Sequence, residues 1–259
     1  MPLVSSGRGP GTGLRWSVLL ALAAVFTALV CVATMMFILY VPATEGYFNL
    51  GETMVYTAAI LLGPYIGAIA GGVGSALADV LLGFSIYAPA TLVIKAAEGF
   101  VVGFLTRRGA RVSETGRRYL ATAASILAGS LLGSIGAHYY SGEVTITIGP
   151  GGQGSVELPA YVPVWLWVFL GVSVSVLIMA LSAYLEPETS WAVFSILSGG
   201  ALMVLGYFAY ESFLKGVVAA AFEVPVNVGQ VSVGLAVAVP LTRALRKRLS
   251  TLLARFGST

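Results

Sequence analysis

Residues 42–99 read PATEGYFNLGETMVYTAAILLGPYIGAIAGGVGSALADVLLGFSIYAPATLVIKAAEG, and this stretch decides how the chain folds. It opens with a polar loop, Pro42 to Asn49, set between two strongly apolar segments, and it closes with Lys95 and Glu98 inside another. Ionisable groups that deep in a hydrophobic span are costly; they face the interior of a bundle and mark a pathway or a binding cavity. A polar loop beside a charged, membrane-embedded pocket points to a protein that captures a small solute.

The rest of the chain supports a membrane setting. Its 259 residues are 58% hydrophobic and only 10% charged, with a mean hydropathy of +0.92. Soluble domains carry about 25% charged residues. Apolar runs of about 18 or more residues recur along the length, and each can cross a bilayer core of roughly 30 Å. The predicted fold class is an all-α polytopic membrane protein, a compact bundle of about eight transmembrane helices. It forms one membrane domain over residues 1–259, because no polar segment is long enough for a second.

Spans are predicted at about 15–41, 52–62, 64–83, 88–107, 118–140, 161–185, 190–212 and 227–245. Gly63-Pro64 breaks the second from the third, since proline removes a donor and clashes with the preceding turn. The first apolar run is longer than a signal-peptide core and lacks an Ala-x-Ala site, and Val30 before Cys31 spoils a lipoprotein site, so it reads as a retained span.

Orientation follows from lysine and arginine. Arg8 and Arg15 precede span one; Arg107, Arg108, Arg111, Arg117 and Arg118 follow span four; Arg243, Arg246, Lys247, Arg248 and Arg255 lie at the end. These are all of the 14 basic residues except Lys95 and Lys215. An even span count puts them on one side, with both termini cytoplasmic. Glu45, Glu52, Glu143 and Glu157 fall in the opposite loops. Trp16, Trp191, Trp165 and Trp167 near span ends read as interfacial belts.

Between Ser141 and Ala160, two β-prone runs flank Gly149-Pro-Gly-Gly-Gln-Gly154, which predicts an external hairpin; its G-x-G-x-x-G spacing lacks a βαβ context and is a turn. Gly63, Gly67, Gly71 and Ser75, then Gly99 with Gly103 and Gly129 with Gly133, repeat at four-residue spacing, which lets helices approach closely.

The unusual polar groups gather in the outer half of the bundle: Asp79, Lys95, Glu98, Glu211, Glu223, Asn227 and Gln230. The chain has two asparagines and two glutamines, and Asn49, Asn227 and Gln230 are three of the four. Amides offer donors and acceptors to a heterocycle's edge, and Tyr47 offers a stacking face. Two readings stand for Lys95 with Glu98 or Asp79: a pair that only holds helices in register, and one that also touches ligand. Asn49 and Asn227 are read as ligand contacts or helix caps. Glu211 and Lys215 read as an interfacial i, i+4 pair.

Other chemistries are excluded. Net charge +3 is explained by topology, so no nucleic acid is implied. Single Cys31 and His138 leave no Cys- or His-based metal site, no cofactor is implied, and no enzyme is indicated. No phosphate-binding Gly-x-x-x-x-Gly-Lys-Ser/Thr sequence occurs, so ATP-driven work needs separate subunits.

These residues resemble a known family. Pro42 to Gly51, Leu61-Leu-Gly-Pro64, Gly71 to Asp79, Tyr87 to Gly99 and Glu223-Val-Pro-Val-Asn227-Val-Gly-Gln230 look like the substrate-binding S components of energy-coupling factor (ECF) vitamin transporters, the riboflavin-transporter group above all. The resemblance implies vitamin binding at the outer face, under the loop joining spans one and two. It implies partnership with a transmembrane coupling subunit and two cytoplasmic ATPases in a prokaryotic plasma membrane. Substrate contacts would come from Tyr47, Asn49, Lys95, Asn227 and Gln230, with Asp79 and Glu98 as supporting charge. Ala24 and Ala28 match the small-residue motif that meets the coupling subunit. Family members usually have six spans in a shorter chain, so residues 117–187 read as an inserted helical pair carrying the external hairpin, 141–160, beside a six-helix core. The competing reading is a stand-alone proton- or ion-coupled secondary transporter with Asp79, Lys95 and Glu98 as relay.

Overall fold

The computed structural model describes residues 16–42, 44–108, 113–148, 156–184 and 187–256. Arg8, Arg15, Arg111 and the predicted turn Gly149–Gly154 lie outside the described residues. Among the described residues the helices are α1 (Trp16–Met36), α2 (Glu52–Leu62), α3 (Pro64–Leu82), α4 (Ala88–Arg108), α5 (Glu114–Tyr139), α6 (Val164–Tyr184), α7 (Pro187–Lys215) and α8 (Val217–Phe256). Four strands join them: β1 (Leu39–Val41), β2 (Gly46–Phe48), β3 (Gly142–Ile148) and β4 (Val156–Val162). Six of the helices are long and apolar enough to cross a membrane; α2 and the apolar part of α6, Val164–Ala180, are shorter. The fold is that of a helical polytopic membrane protein.

The break at Gly63-Pro64 is built as the sequence predicts. Gly63 has φ +92°, a conformation that glycine adopts without strain, and Pro64 opens α3. The carbonyls that α2 leaves unpaired at its end need donors inside the bundle. Arg107 of α4 donates to the Leu62 carbonyl at 2.7 Å, and Arg246 of α8 donates to the Ile60 carbonyl at 3.0 Å. Two residues read as topology signals thus also terminate α2. At 11 residues, α2 is only about 16 Å long. The chain after β2 therefore enters the bundle before the helix begins, and Glu52, its first residue, is 1% exposed.

The glycine spacing brings α3 against α4. A Cβ on Gly67 would lie 2.8 Å from the Gly99 carbonyl, and one on Gly71 would lie 2.8 Å from the Lys95 carbonyl. Only hydrogen at those positions lets the backbones meet, and the seam fixes where Lys95 enters the interior. Gly129 and Gly133 of α5 meet Gly171 of α6 in the same way, and this pair stands against α7 and α8.

Three elements differ from expectation. The first apolar run does not stay helical to residue 41; α1 stops at Met36 and Leu39–Val41 becomes β1. Apolar length alone does not separate helix from strand. What decides is pairing: β1 lies between β2 and β3 in an antiparallel sheet of order β2-β1-β3-β4. The loop read as merely polar is a hairpin, with Tyr40 opposite Tyr47 and its turn made by Glu45 at φ +57°. In the stretch 141–160, β3 and β4 pair antiparallel and join the same sheet, Leu39 opposite Ile148 and Tyr40 opposite Thr147.

The last helix starts at Val217, not near 227, and Pro225 lies inside it. The gap that proline opens in the ladder is tolerated where neighbours supply donors. Tyr140 donates to the Phe222 carbonyl, beside the gap, at 2.7 Å. Finally, Trp191 is buried with its indole N–H on the Leu105 carbonyl, so it locks α7 to α4 and is no belt residue.

Candidate functional site

A cavity lies beneath the β1–β2 hairpin, walled by α3 and α4 on one side and α7 and α8 on the other. Its empty space, with the open mouth included, is about 420 Å³.

At the base, Lys95 is 4% exposed. Its ammonium is ion-paired with Glu52 and lies 3.3 Å from Glu98 Oε2. Glu98 Oε1 accepts from Tyr56 at 2.7 Å. The ring of Tyr207 lies below the ammonium, 5.7 Å from its centroid, and the Tyr207 hydroxyl donates to Thr91 at 3.0 Å. Taking one ammonium and two carboxylates out of water is repaid only by such tight mutual contact.

On the hairpin side, Tyr47 donates to Asp79 Oδ1 at 2.6 Å and packs its ring on Phe84, centroids 4.6 Å apart. Burial, and then the Asp79 carboxylate, push the Tyr47 phenol above its ordinary range, so it stays a donor. Phe84 covers one face of that ring. The Asn49 backbone N–H donates to Gln230 Oε1 at 3.2 Å, and Gln230 Nε2 donates to Asn227 Oδ1 at 2.7 Å. The amides of α8 therefore hold the chain where it drops from β2 towards α2. Asn49 Oδ1 accepts from the Gly51 N–H at 2.8 Å, a local turn before α2. Asn227 lies well inside α8, so the capping reading does not apply to it.

Near the mouth stand Glu211 and Glu223, 1% and 3% exposed. Thr44 donates to Glu223 Oε2 at 2.5 Å, and the Tyr87 hydroxyl donates to the Thr44 carbonyl. Burial, and then Glu211 and Glu223, raise the Tyr87 phenol as well. Gly46 leaves room for this carboxylate; a Cβ there would lie 2.9 Å from Glu223 Oε1.

The structure brings Tyr47, Asn49, Asp79, Lys95, Asn227 and Gln230 around this one cavity. Glu98 sits behind Lys95, outside the lining. Ala24 and Ala28 are exposed on the outer face of α1, away from the cavity. Lys95 pairs with Glu52 and Glu98; Asp79 Oδ1 accepts from Tyr47 instead. Lys215 pairs with Glu45 of the hairpin and not with Glu211, which faces the cavity. Sequence reasoning missed Glu52, read as a loop charge, together with Thr44, Tyr87 and Tyr207. The signal for Glu52 was its place at the head of an apolar helix directly after Gly51, where a loop carboxylate would not need so apolar a continuation. Among the described residues no group of three or more His, Cys, Asp or Glu is arranged to hold a metal ion.

The family description "ECF-type riboflavin transporter, S component" matches residues 17–149, slightly over half of the 259 residues. The chain belongs to this family. Within the match lie α1 to α5 with the hairpin, Asp79, Lys95 and Glu98; it stops short of Glu211 to Gln230. As an S component the chain is a vitamin-binding transporter subunit, and the family is not one of enzymes. A protein of Pyrococcus woesei, described as "Uncharacterized protein in gap 3'region", is 41% identical over 124 residues, 48% of this chain and 76% of the relative. The "Thiamine precursor transporter HmpT" of Lactococcus lactis subsp. cremoris is 37% identical over 89 residues, 34% of this chain and 53% of that protein. The match thus spans about half of that second relative.

Proposed function

We propose that this S component serves an ATP-driven ECF-type importer and that the cavity under the β1–β2 hairpin takes riboflavin or a related heterocyclic vitamin. The convergence of Asn49, Lys95, Asn227 and Gln230, drawn from three separate segments, on one cavity carries the reading. The amides would read the polar edge of the ring, Lys95 would meet an acceptor, and Tyr47 would close over it, with Asp79 and Glu98 setting the positions of Tyr47 and Lys95. The relative described as a thiamine precursor transporter widens the candidates beyond riboflavin.

The chain itself has no ATPase motif, so a coupling subunit and two ATPases would supply the energy. Their contact would be the exposed Ala24 and Ala28 face of α1. The basic clusters would lie in the cytoplasm of a prokaryotic cell with both termini, and α5–α6 with β3–β4 would be an addition to a six-helix core. Calorimetry of the purified protein against a vitamin panel tests the reading. Sub-micromolar binding of one member is expected, and failure of all of them rejects it.

The buried Asp79, Glu52, Lys95 and Glu98 also suit a proton- or ion-coupled carrier. Proteoliposomes holding this chain alone separate the two. Uptake driven by a pH gradient would favour the carrier, and uptake only with coupling subunit and ATPases present would favour the importer.

A further inference from the structure

Charge is balanced differently on the two sides of the cavity. On the α3–α4 side Lys95 is shared by Glu52 and Glu98, and Asp79 accepts from Tyr47 on Oδ1 alone, so one ammonium and the two phenols of Tyr47 and Tyr56 serve three carboxylates. On the α7–α8 side Glu211 and Glu223 line the same space, both more than nine-tenths buried. Glu223 has the Thr44 hydroxyl, and Glu211 Oε2 has no hydrogen-bond partner among the described residues. The ammonium groups of Lys95 and Lys215 are engaged elsewhere: Lys95 with Glu52 and Glu98, and Lys215 with Glu45. Buried carboxylates without a counter-charge are expensive and are normally paired. Among the described residues that line this space, Lys95 is the one cation, and it stands on the other wall.

We propose that the ligand supplies the positive group: Glu211 and Glu223 form a subsite for a cationic nitrogen, an amine, amidinium or azolium, on a small heterocycle. The arrangement on α8 fits a ligand of that kind. Asn227 and Gln230 follow Glu223 at spacings of four and three residues, on one helix face. A ring with its charged nitrogen at Glu223 would present its neutral edge to the two amides below. Thr44 orients Glu223, and Tyr87 holds Thr44, so the acidic end is tied to the hairpin that covers the site. This inference rests on the S-component reading and narrows its ligand. Riboflavin, whose ring system is neutral, brings no counter-charge to the pair of carboxylates; a thiamine-like cation brings one.

The test is calorimetry on the full chain in lipid nanodiscs with thiamine, its aminopyrimidine half and riboflavin, together with the vitamin panel above. A sub-micromolar Kd is expected for at least one cationic probe, weakened about 10- to 100-fold by Glu211→Gln and by Glu223→Gln. Glutamine keeps the size of the side chain, and at 223 it keeps the acceptor for Thr44. A measurement on the unsubstituted protein guards against a folding defect: the neutral thiophene isostere of thiamine should bind at least about 100-fold more weakly than thiamine. Tight riboflavin binding that neither variant changes, with no binding of the cationic probes, overturns the subsite and leaves the S-component reading standing. Absence of binding by every vitamin removes both.

Discussion

The two walls of the cavity answer the same problem in opposite ways. The α2–α4 wall buries three carboxylates, Glu52, Asp79 and Glu98, and gives them an ammonium and two phenols from within the fold. The α7–α8 wall buries Glu211 and Glu223 and gives them one hydroxyl between them. The first wall holds an ammonium of its own, shared by Glu52 and Glu98, and only a phenol meets Asp79. The second is incomplete until something positive arrives. A buried charge therefore reports structure where its partner lies in the chain, and reports recognition where the partner is missing.

The contrast breaks most directly at Lys95. Lys95→Ala leaves Glu52 and Glu98 facing each other in the interior, and the ligand-free protein should lose about 3–5 kcal/mol. Thermal unfolding in detergent measures this. A wild-type melting temperature for Lys95→Ala would mean the α2–α4 wall is not held by charge. Tyr47→Phe removes the donor from Asp79 and should cost about 1.5–3 kcal/mol by the same assay. Gly71→Ala forces a methyl to within 2.8 Å of the Lys95 carbonyl. It should cost about 1–3 kcal/mol and weaken ligand binding together, because the α3–α4 seam positions Lys95. Unchanged affinity in a destabilised Gly71→Ala protein would detach the seam from the site.

On the other wall the expected sign differs between residues. Asn227→Ala should weaken ligand binding about tenfold, near 1.4 kcal/mol, and should lower the ligand-free melting temperature as well, because it leaves the buried Gln230 Nε2 without its acceptor at a cost of about 1–3 kcal/mol. Glu211→Gln should leave ligand-free stability unchanged or raise it slightly, since it removes an unpaired charge. Marked destabilisation by Glu211→Gln would show that this wall, too, is completed from within.

Much of the site was legible because its residue types are rare in so apolar a chain. An asparagine, a lysine or a glutamine in such surroundings stands out without any knowledge of its partner, and Asn49, Lys95, Asn227 and Gln230 do meet around one cavity. Glu52 was not legible in the same way. Glutamates at loop ends are ordinary, and only the descent of the chain after β2 carries this one to Lys95. Glu211 was assigned to Lys215 on spacing alone, but the β1–β2 turn brings Glu45 to Lys215 and leaves Glu211 facing inwards.

The sequence by itself determined the membrane setting, the break at Gly63-Pro64, the close approach of α3 and α4, and which rare amides stand out. Each rests on composition or on contacts a few residues apart, which local physics sets. Only the tertiary structure decided that Leu39–Val41 is a strand, that α8 runs through Pro225, and which carboxylate each lysine meets. Those outcomes depend on partners distant along the chain: β3 for β1, Tyr140 for the carbonyl beside the proline, and the hairpin for Lys215. A hydrogen bond or an ion pair needs two groups within a few ångströms, and a one-dimensional pattern specifies only one of them at a time.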